Sequence, residues 1–172
     1  MIFDKLKNIL KKQTKEDDVI FRKSILEDKS FILSAIDYGI KNKRLNSNYN
    51  LKMYEKVLYA YLGLEDCVVF IKGEKPKIYF FTLLKDNEKI GCAMLCYFSS
   101  YVEIMYIYIS EEYQHKNLGK RLHINLEKLI PPGTKIVLRC YRTSQDGIRL
   151  AKRMGFGQCD STENTIIFEK YK

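Results

Sequence analysis

Hydrophobic positions along the chain change period several times, and each change marks a new element. Over residues 1–13, Ile2, Phe3, Leu6, Ile9 and Leu10 fall on one helical face and Lys5, Lys7, Lys11 and Lys12 mostly on the other, which predicts a short basic amphipathic helix. Its apolar face is expected to dock on the chain's own domain or on a sister subunit of a homodimer, because one short helix holds a membrane surface only weakly. A strand is expected over residues 19–24. Two helices should follow, over residues 27–43 with Phe31, Ile32, Ala35, Ile36 and Ile40 in period, and over residues 51–62 with Met53, Val57, Leu58 and Tyr61 as the stripe. From Cys67 the runs become short, β-branched and aromatic: CVVFIKG, KIYFFTLL, KIGCAMLCYF and YVEIMYIYIS read as strands. The segments KDNEK and SS are turns that fold the last three into an antiparallel meander. Helical spacing returns over residues 114–130 through Leu118, Leu122, Leu126 and Leu129, and PPG stops it. A strand over residues 135–141, a helix over residues 144–154 closed by Gly155, and a strand over residues 165–169 complete the order.

That order, β-α-α-β-β-β-α-β-α-β, contains no repeat and no second domain, and it predicts an α/β (α+β) domain in which helices flank a mixed sheet. Composition agrees: 172 residues with 46% hydrophobic and 30% charged positions can bury a real core, and a fibre or a linker is excluded. The most apolar region, residues 92–109, is interrupted by Ser99, Ser100 and Glu103, so no membrane span is expected. Cys67, Cys92, Cys96, Cys140 and Cys159 are odd in number and form no CxxC pair, and His115 and His123 have no thiol at ligand spacing. Reduced thiols in a cytoplasmic compartment, with neither a disulfide framework nor a metal site, are the expectation. Residues 1–13 lack the apolar core of a secretory signal and should be retained. A net charge of +9 comes without any recognition-helix or RNP pattern, so no specific nucleic-acid partner is expected.

Chemistry concentrates in IYISEEYQHKNLGKRLHINLEKL, residues 107–129, where a buried strand runs through a short polar turn into the start of a long helix. First-turn amides of a helix lack intrahelical partners and sit at the positive end of its dipole, so such a junction can bind an anion. Gly119 permits close approach, and Lys116, Lys120 and Arg121 add charge. The plainer reading is a surface helix with a basic first turn.

The run YQHKNLGKRL, residues 113–122, resembles the acyl-CoA loop of the GNAT family of N-acyltransferases, whose pattern R/Q-x-x-G-x-G/A is matched by Gln114, Asn117 and Gly119. Asn117 replaces the first glycine, and asparagine tolerates unusual backbone angles better than other residues with side chains. Phe21, Arg22 and Lys23 through Glu27 and Asp28 resemble the family's opening strand and turn. SQDGIRLAKRMGF, residues 144–156, resembles its second signature. The likeness covers nearly the whole chain from Val19 onward. It implies a GNAT-like, mainly antiparallel sheet of six to seven strands with about four helices. Residues 18–172 would form the core of a single acyltransferase domain, and residues 1–17 an N-terminal basic extension. It further implies acetyl-CoA as cofactor and transfer of its acetyl group, by direct attack in a ternary complex, to a primary amine of a small molecule or protein. The pantetheine arm would lie between the strand ending near Ile109 and the strand at residues 138–140, bonded to the main chain of Ile107 and Ile109. The pyrophosphate would rest on amides of Gln114, His115, Lys116, Asn117, Leu118, Gly119 and Lys120, with Ser144 at the position of the signature asparagine.

The amine must lose a proton before it attacks, and the departing thiolate must gain one. Glu103 interrupts an apolar strand eleven residues before Gln114, the spacing of the catalytic glutamate in histone-type members, and is the expected base; otherwise it points to solvent at a strand end or pairs with a lysine. Many members supply the thiolate's proton from a tyrosine where this chain has Ala151, which leaves Tyr141 and Tyr108 as candidate substitutes. Cys140 lies near enough along the sequence to approach the acyl group but reads as an inert buried thiol. Tyr38, Tyr49, Tyr54 and Tyr59 are candidate liners of the acceptor site. The charge of +9 disfavours a polycationic acceptor unless Asp37, Glu65 or Asp66 forms a local acidic patch. The competing function is a catalytically weak or inactive CoA-binding regulatory protein of the same fold.

Overall fold

In a computed structural model of the chain, residues 19–45, 50–64 and 70–172 are described. The expected helix over residues 1–13, and Tyr49, Glu65, Asp66 and Cys67, lie outside them. In chain order the elements are β1 (Val19–Lys23), α1 (Lys29–Lys41), α2 (Leu51–Leu62), β2 (Lys77–Lys85), β3 (Glu88–Tyr97), β4 (Val102–Ile109), α3 (Leu118–Leu129), β5 (Lys135–Tyr141), α4 (Gln145–Arg153), β6 (Gly157–Ser161) and β7 (Thr165–Tyr171). The strands form one seven-stranded sheet in the order β1-β2-β3-β4-β5-β7-β6. Every neighbouring pair is antiparallel except β4 and β5, which run parallel because α3 carries the chain from one to the other. This is the mixed, mainly antiparallel sheet expected.

Local chemistry sets the element ends. Asp86 and Asn87, both left-handed, make the two-residue turn between β2 and β3. Asn50 caps α2 by accepting from the Met53 amide at 3.0 Å, and Gly63, at φ 71°, ends it. Asp28, which has no exposed surface, ties the β1–α1 turn to the sheet. Its carboxylate accepts from Arg22 at 2.6 and 3.0 Å, from the Ile25 amide at 2.9 Å and from the Thr82 hydroxyl at 3.0 Å. Burial pushes the Asp28 carboxyl up, but these hydrogen bonds and the Arg22 charge outweigh it and hold the group below its ordinary value.

Three expectations are corrected. The strand read over CVVFIKG fails in its described part: Ile71 bridges Glu74 across left-handed Lys72 and Gly73, so the chain reverses there instead of extending. The helix read from Gln114 begins at Leu118, and residues 114–117 are loop. β6 was not foreseen, because its five residues are all exposed and carry no apolar alternation.

The sheet has a different helix pair on each face. α3 and α4 cover one face through Leu118, Leu122, Leu126, Ile148 and Ala151 against Phe81, Leu95, Ile104, Ile136 and Phe168. α1 and α2 cover the other through Ile32, Ile36, Tyr54 and Leu58 against Phe80, Met94, Cys96 and Tyr106. Each fully buried large side chain contributes about 1.5–3 kcal/mol. No described helix is long and apolar enough to cross a membrane.

Candidate active site

Opposite β3, Met94 pairs with Tyr106 and Leu95 with Ile104, leaving Met105 as an extra residue, a β-bulge that bends β4. Pairing between β4 and β5 runs only from Val102↔Ile136 to Ile104↔Leu138. Beyond that point each strand keeps its outer neighbour, β4 as far as Gly91↔Ile109 and β5 as far as Tyr141↔Thr165, and the two part from each other. Between them opens a cleft of about 500 Å³. The Ser110 amide donates to the Ile90 carbonyl at 2.9 Å, so strand alternation turns the peptide groups of Ile107 and Ile109 toward the gap. One of these is already partnered: Gln114 Nε2 donates to the Ile109 carbonyl at 2.9 Å.

The cleft ends at the loop before α3. His115 at φ 62° and Asn117 at φ 59° are both left-handed, a curl whose successive amides form a concavity suited to anions. Asn117 thus adopts the conformation for which glycine is usually chosen. The Arg121 amide donates to the Asn117 carbonyl at 3.0 Å, closing the first helical turn and leaving the amides of residues 118–120 without intrahelical acceptors. A Cβ on Gly119 would meet only Leu150 Cδ2, at 3.8 Å, so the protein's own packing does not demand glycine there.

Of the residues singled out for the cofactor, Ile107, Ile109, Gln114, His115, Asn117, Leu118, Gly119, Lys120 and Ser144 line this one cleft. Lys116 does not; its ammonium lies over the Tyr113 ring, 5.1 Å from the centroid. Arg44, Arg139, Arg149 and Arg153 add positive charge to the lining, and the carboxylate among the lining residues, Asp146, is paired with Arg149 at 2.6 Å.

Neither Glu103 nor Tyr141 lines the cleft. Glu103 lies in the paired half of β4, opposite Val137 of β5 and 1% exposed. Its carboxylate binds Lys72 Nζ at 2.5 Å and Arg139 Nε at 3.1 Å, so the lysine-paired reading of Glu103 describes this geometry, with an arginine added. Tyr141 sits at the end of β5 with its backbone paired to Thr165 and its carbonyl accepting from the Ser144 amide at 2.8 Å. Tyr108 does line the cleft, edge-on to Tyr38 at 5.6 Å, and burial pushes its phenol above the ordinary value. Tyr38 donates to Glu111 at 2.6 Å and carries the Arg44 guanidinium 5.5 Å from its ring centroid. Tyr54 is buried among α1 and α2, and Tyr59 donates to Glu55 at 2.6 Å. Cys140 lines the cleft, but burial pushes its thiol up to about 11, which keeps it protonated near neutral pH.

His123 escaped the sequence reading, which weighed its ring only as a metal ligand. It lines the cleft with no exposed surface, and its Nε2 lies 2.6 Å from Glu127 Oε1. The i,i+4 spacing to Glu127 was the available signal.

The model of the acetyltransferase (GNAT) family matches residues 42–156. The chain belongs to this family. A curated relative, the spermidine N(1)-acetyltransferase of Thermoplasma acidophilum, is 29% identical over 97 residues, which span 54% of this chain and 59% of that protein, little more than half its length. The PaiA N-acetyltransferase of the same organism, solved in complex with coenzyme A, superposes with a TM-score of 0.64 at 18% identity, covering 90% of this chain and 99% of that one. The GNAT-superfamily phosphinothricin acetyltransferase of Sinorhizobium meliloti, solved with acetyl-CoA, gives 0.66 at 15% identity over 90% and 88%. At these identities the solved structures speak for the GNAT fold. Within the GNAT frame, the divided sheet and the curled loop are main-chain features that survive even though Asn117 and Ala151 depart from the family pattern.

Proposed function

We propose that this chain is an N-acetyltransferase that moves the acetyl group of acetyl-CoA to a primary amine of a small molecule or protein, by direct attack in a ternary complex. One observation carries the reading: the parting of β4 and β5 beyond Ile104 and Leu138 opens onto the anion-binding curl of residues 114–120. A diphosphate suits that curl, and a pantetheine arm suits the unpaired strand edge at Ile107 and Ile109. When bound, the coenzyme supplies an activated thioester.

The chain's own residues do the rest. A strand amide at the edge of the gap polarises the acyl oxygen without needing a particular side chain. Arg44, Arg139, Arg153 and Lys120 make the cleft electropositive, which favours the neutral form of an entering amine and disfavours a polycation. That charge supports a monoamine acceptor, in contrast to the polyamine in the name of the Thermoplasma relative. Glu103 serves as a positioning residue that holds the Arg139 guanidinium at the cleft wall. Cys92, Cys96, Cys140 and Cys159 are free thiols, which supports a reducing, cytoplasmic setting.

One observation favours the second reading, a CoA-binding protein without turnover: Ala151, with no acidic hydrogen to give, lines the cleft at the position of the family's tyrosine. Thermal shift with acetyl-CoA, followed by thiol release over a panel of monoamines, spermidine and protein amino termini, separates the two. Stabilisation with turnover on a monoamine is the expected result. Stabilisation without turnover on any acceptor selects the second reading, and no stabilisation overturns both.

A further inference from the structure

Gly119, His123 and Glu127 recur every four residues along α3 and form one stripe. That stripe faces α4 and its C-terminal extension: a Cβ on Gly119 would meet Leu150, and the His123 ring stands edge-on to Phe156 at 5.4 Å. Ala151 of α4 and His123 of α3 line the same cleft. His123 Nε2 meets Glu127 Oε1 at 2.6 Å, and Glu127 is held from behind by Lys170 of β7 at 2.6 Å. A carboxylate only accepts, so the Nε2 atom carries the hydrogen, and the neutral ring presents a lone pair on Nδ1. That Nδ1 is buried with no partner. Leaving a buried acceptor unpaired works against the fold, whereas an imidazole backed by a carboxylate and unpartnered at its other nitrogen is equipped to take and return a proton.

Resting on the acetyltransferase reading above, we infer that His123, oriented by Glu127, carries the proton to the departing coenzyme thiolate in place of the tyrosine that Ala151 replaces. The amine nitrogen forms a bond to the acyl carbon, and the carbon–sulfur bond breaks with its electron pair going to sulfur. The proton shed by nitrogen passes to Nδ1 and from Nδ1 to sulfur, so the ring ends neutral, as it began. Burial holds His123 below the ordinary histidine value, consistent with a neutral resting ring. The ionisable groups that act on it are Glu127 on its own helix and Lys170 from β7.

Nitrogen NMR of the uniformly nitrogen-15-labelled full chain tests this, with CoA and desulfo-CoA as ligands, the latter keeping the diphosphate and arm but lacking sulfur. Both should displace the amides of residues 114–120, and only CoA should move the His123 Nδ1 resonance. Equal movement with both ligands, or a silent His123 while the loop amides move, overturns the inference alone. Loop amides that respond to neither ligand overturn the acetyltransferase reading and this inference with it. The variant His123→Gln keeps a donor for Glu127 but cannot ionise. CoA should stabilise it as it does the wild type, while the bound thiol, followed by thiolate absorbance, should ionise at a pH about one unit lower, because a neutral Nδ1 that accepts from the thiol favours its protonated form. The same ionisation pH in both proteins refutes the role.

Discussion

The two faces of the sheet are packed from different side chains. Under α3 and α4 the core is mainly aliphatic, with Leu118, Leu122, Leu126, Ile136 and Ile148 beside Phe81 and Phe168, and it supports a cleft to which a strand edge and a loop present peptide groups. Under α1 and α2 the core mixes Tyr54, Tyr106, Phe80, Met94 and Cys96, and the polar contacts there come from side chains such as Tyr38, Arg44 and Glu103. A site made of main-chain groups needs a rigid scaffold and a few residues with permissive backbone angles. A site made of side chains is free to change with its substrate.

The sharpest way to break this contrast is Gly119→Glu. A Cβ there makes only an ordinary contact with Leu150, so the fold should persist, yet a carboxylate set against the diphosphate should weaken CoA binding by about a thousandfold or more, measured by calorimetry. Retained affinity would mean that the anchor lies elsewhere. On the opposite face, Asp28→Ala should cost roughly 3 kcal/mol in urea unfolding, because it strands Arg22 and leaves the Ile25 amide and Thr82 hydroxyl short of an acceptor. The same carboxylate sets a pH dependence. Its folded value is depressed, so its stabilisation is complete above the unfolded value of about 3.9 and is lost as pH falls through the lower folded one; Asp28→Asn should flatten that decline. Glu103→Gln should lose roughly 1–3 kcal/mol by weakening two ion pairs while CoA affinity holds. A pH–rate profile that loses its acidic limb in this variant would return Glu103 to the role of base. The smallest effect is expected from Tyr108→Phe, which should raise the amine KM about fivefold with acetyl-CoA binding unchanged.

The same division governs what was legible beforehand. The strand, polar turn and helix around residues 107–129 could be read because main-chain binding leaves a mark at fixed spacing: Asn117 takes the angle its residue type allows, and the leucines of α3 keep helical period. Glu103 illustrates the opposite case. Its distance from Gln114 fitted a known pattern, but Lys72 and Arg139, which decide what its carboxylate does, reach it from 31 residues before and 36 after, and nothing local announces them. At residues 70–74 the β-forming residues Phe70 and Ile71 argued for a strand, and the left-handed pair Lys72 and Gly73 won. β6 is an edge strand recruited by pairing with β7, so burial left no pattern on it.

Met105 shows how little chemistry a functional feature can need. Before it, Val102 and Ile104 point to the α3–α4 face; after it, Ile107 and Ile109 do, so the count of residues has slipped by one while the faces stay in step. The cleft between β4 and β5 is thus encoded as an insertion and not as a particular side chain. Exchanging the methionine should leave the cleft open, whereas deleting it should let β4 and β5 zip together to their ends and close it.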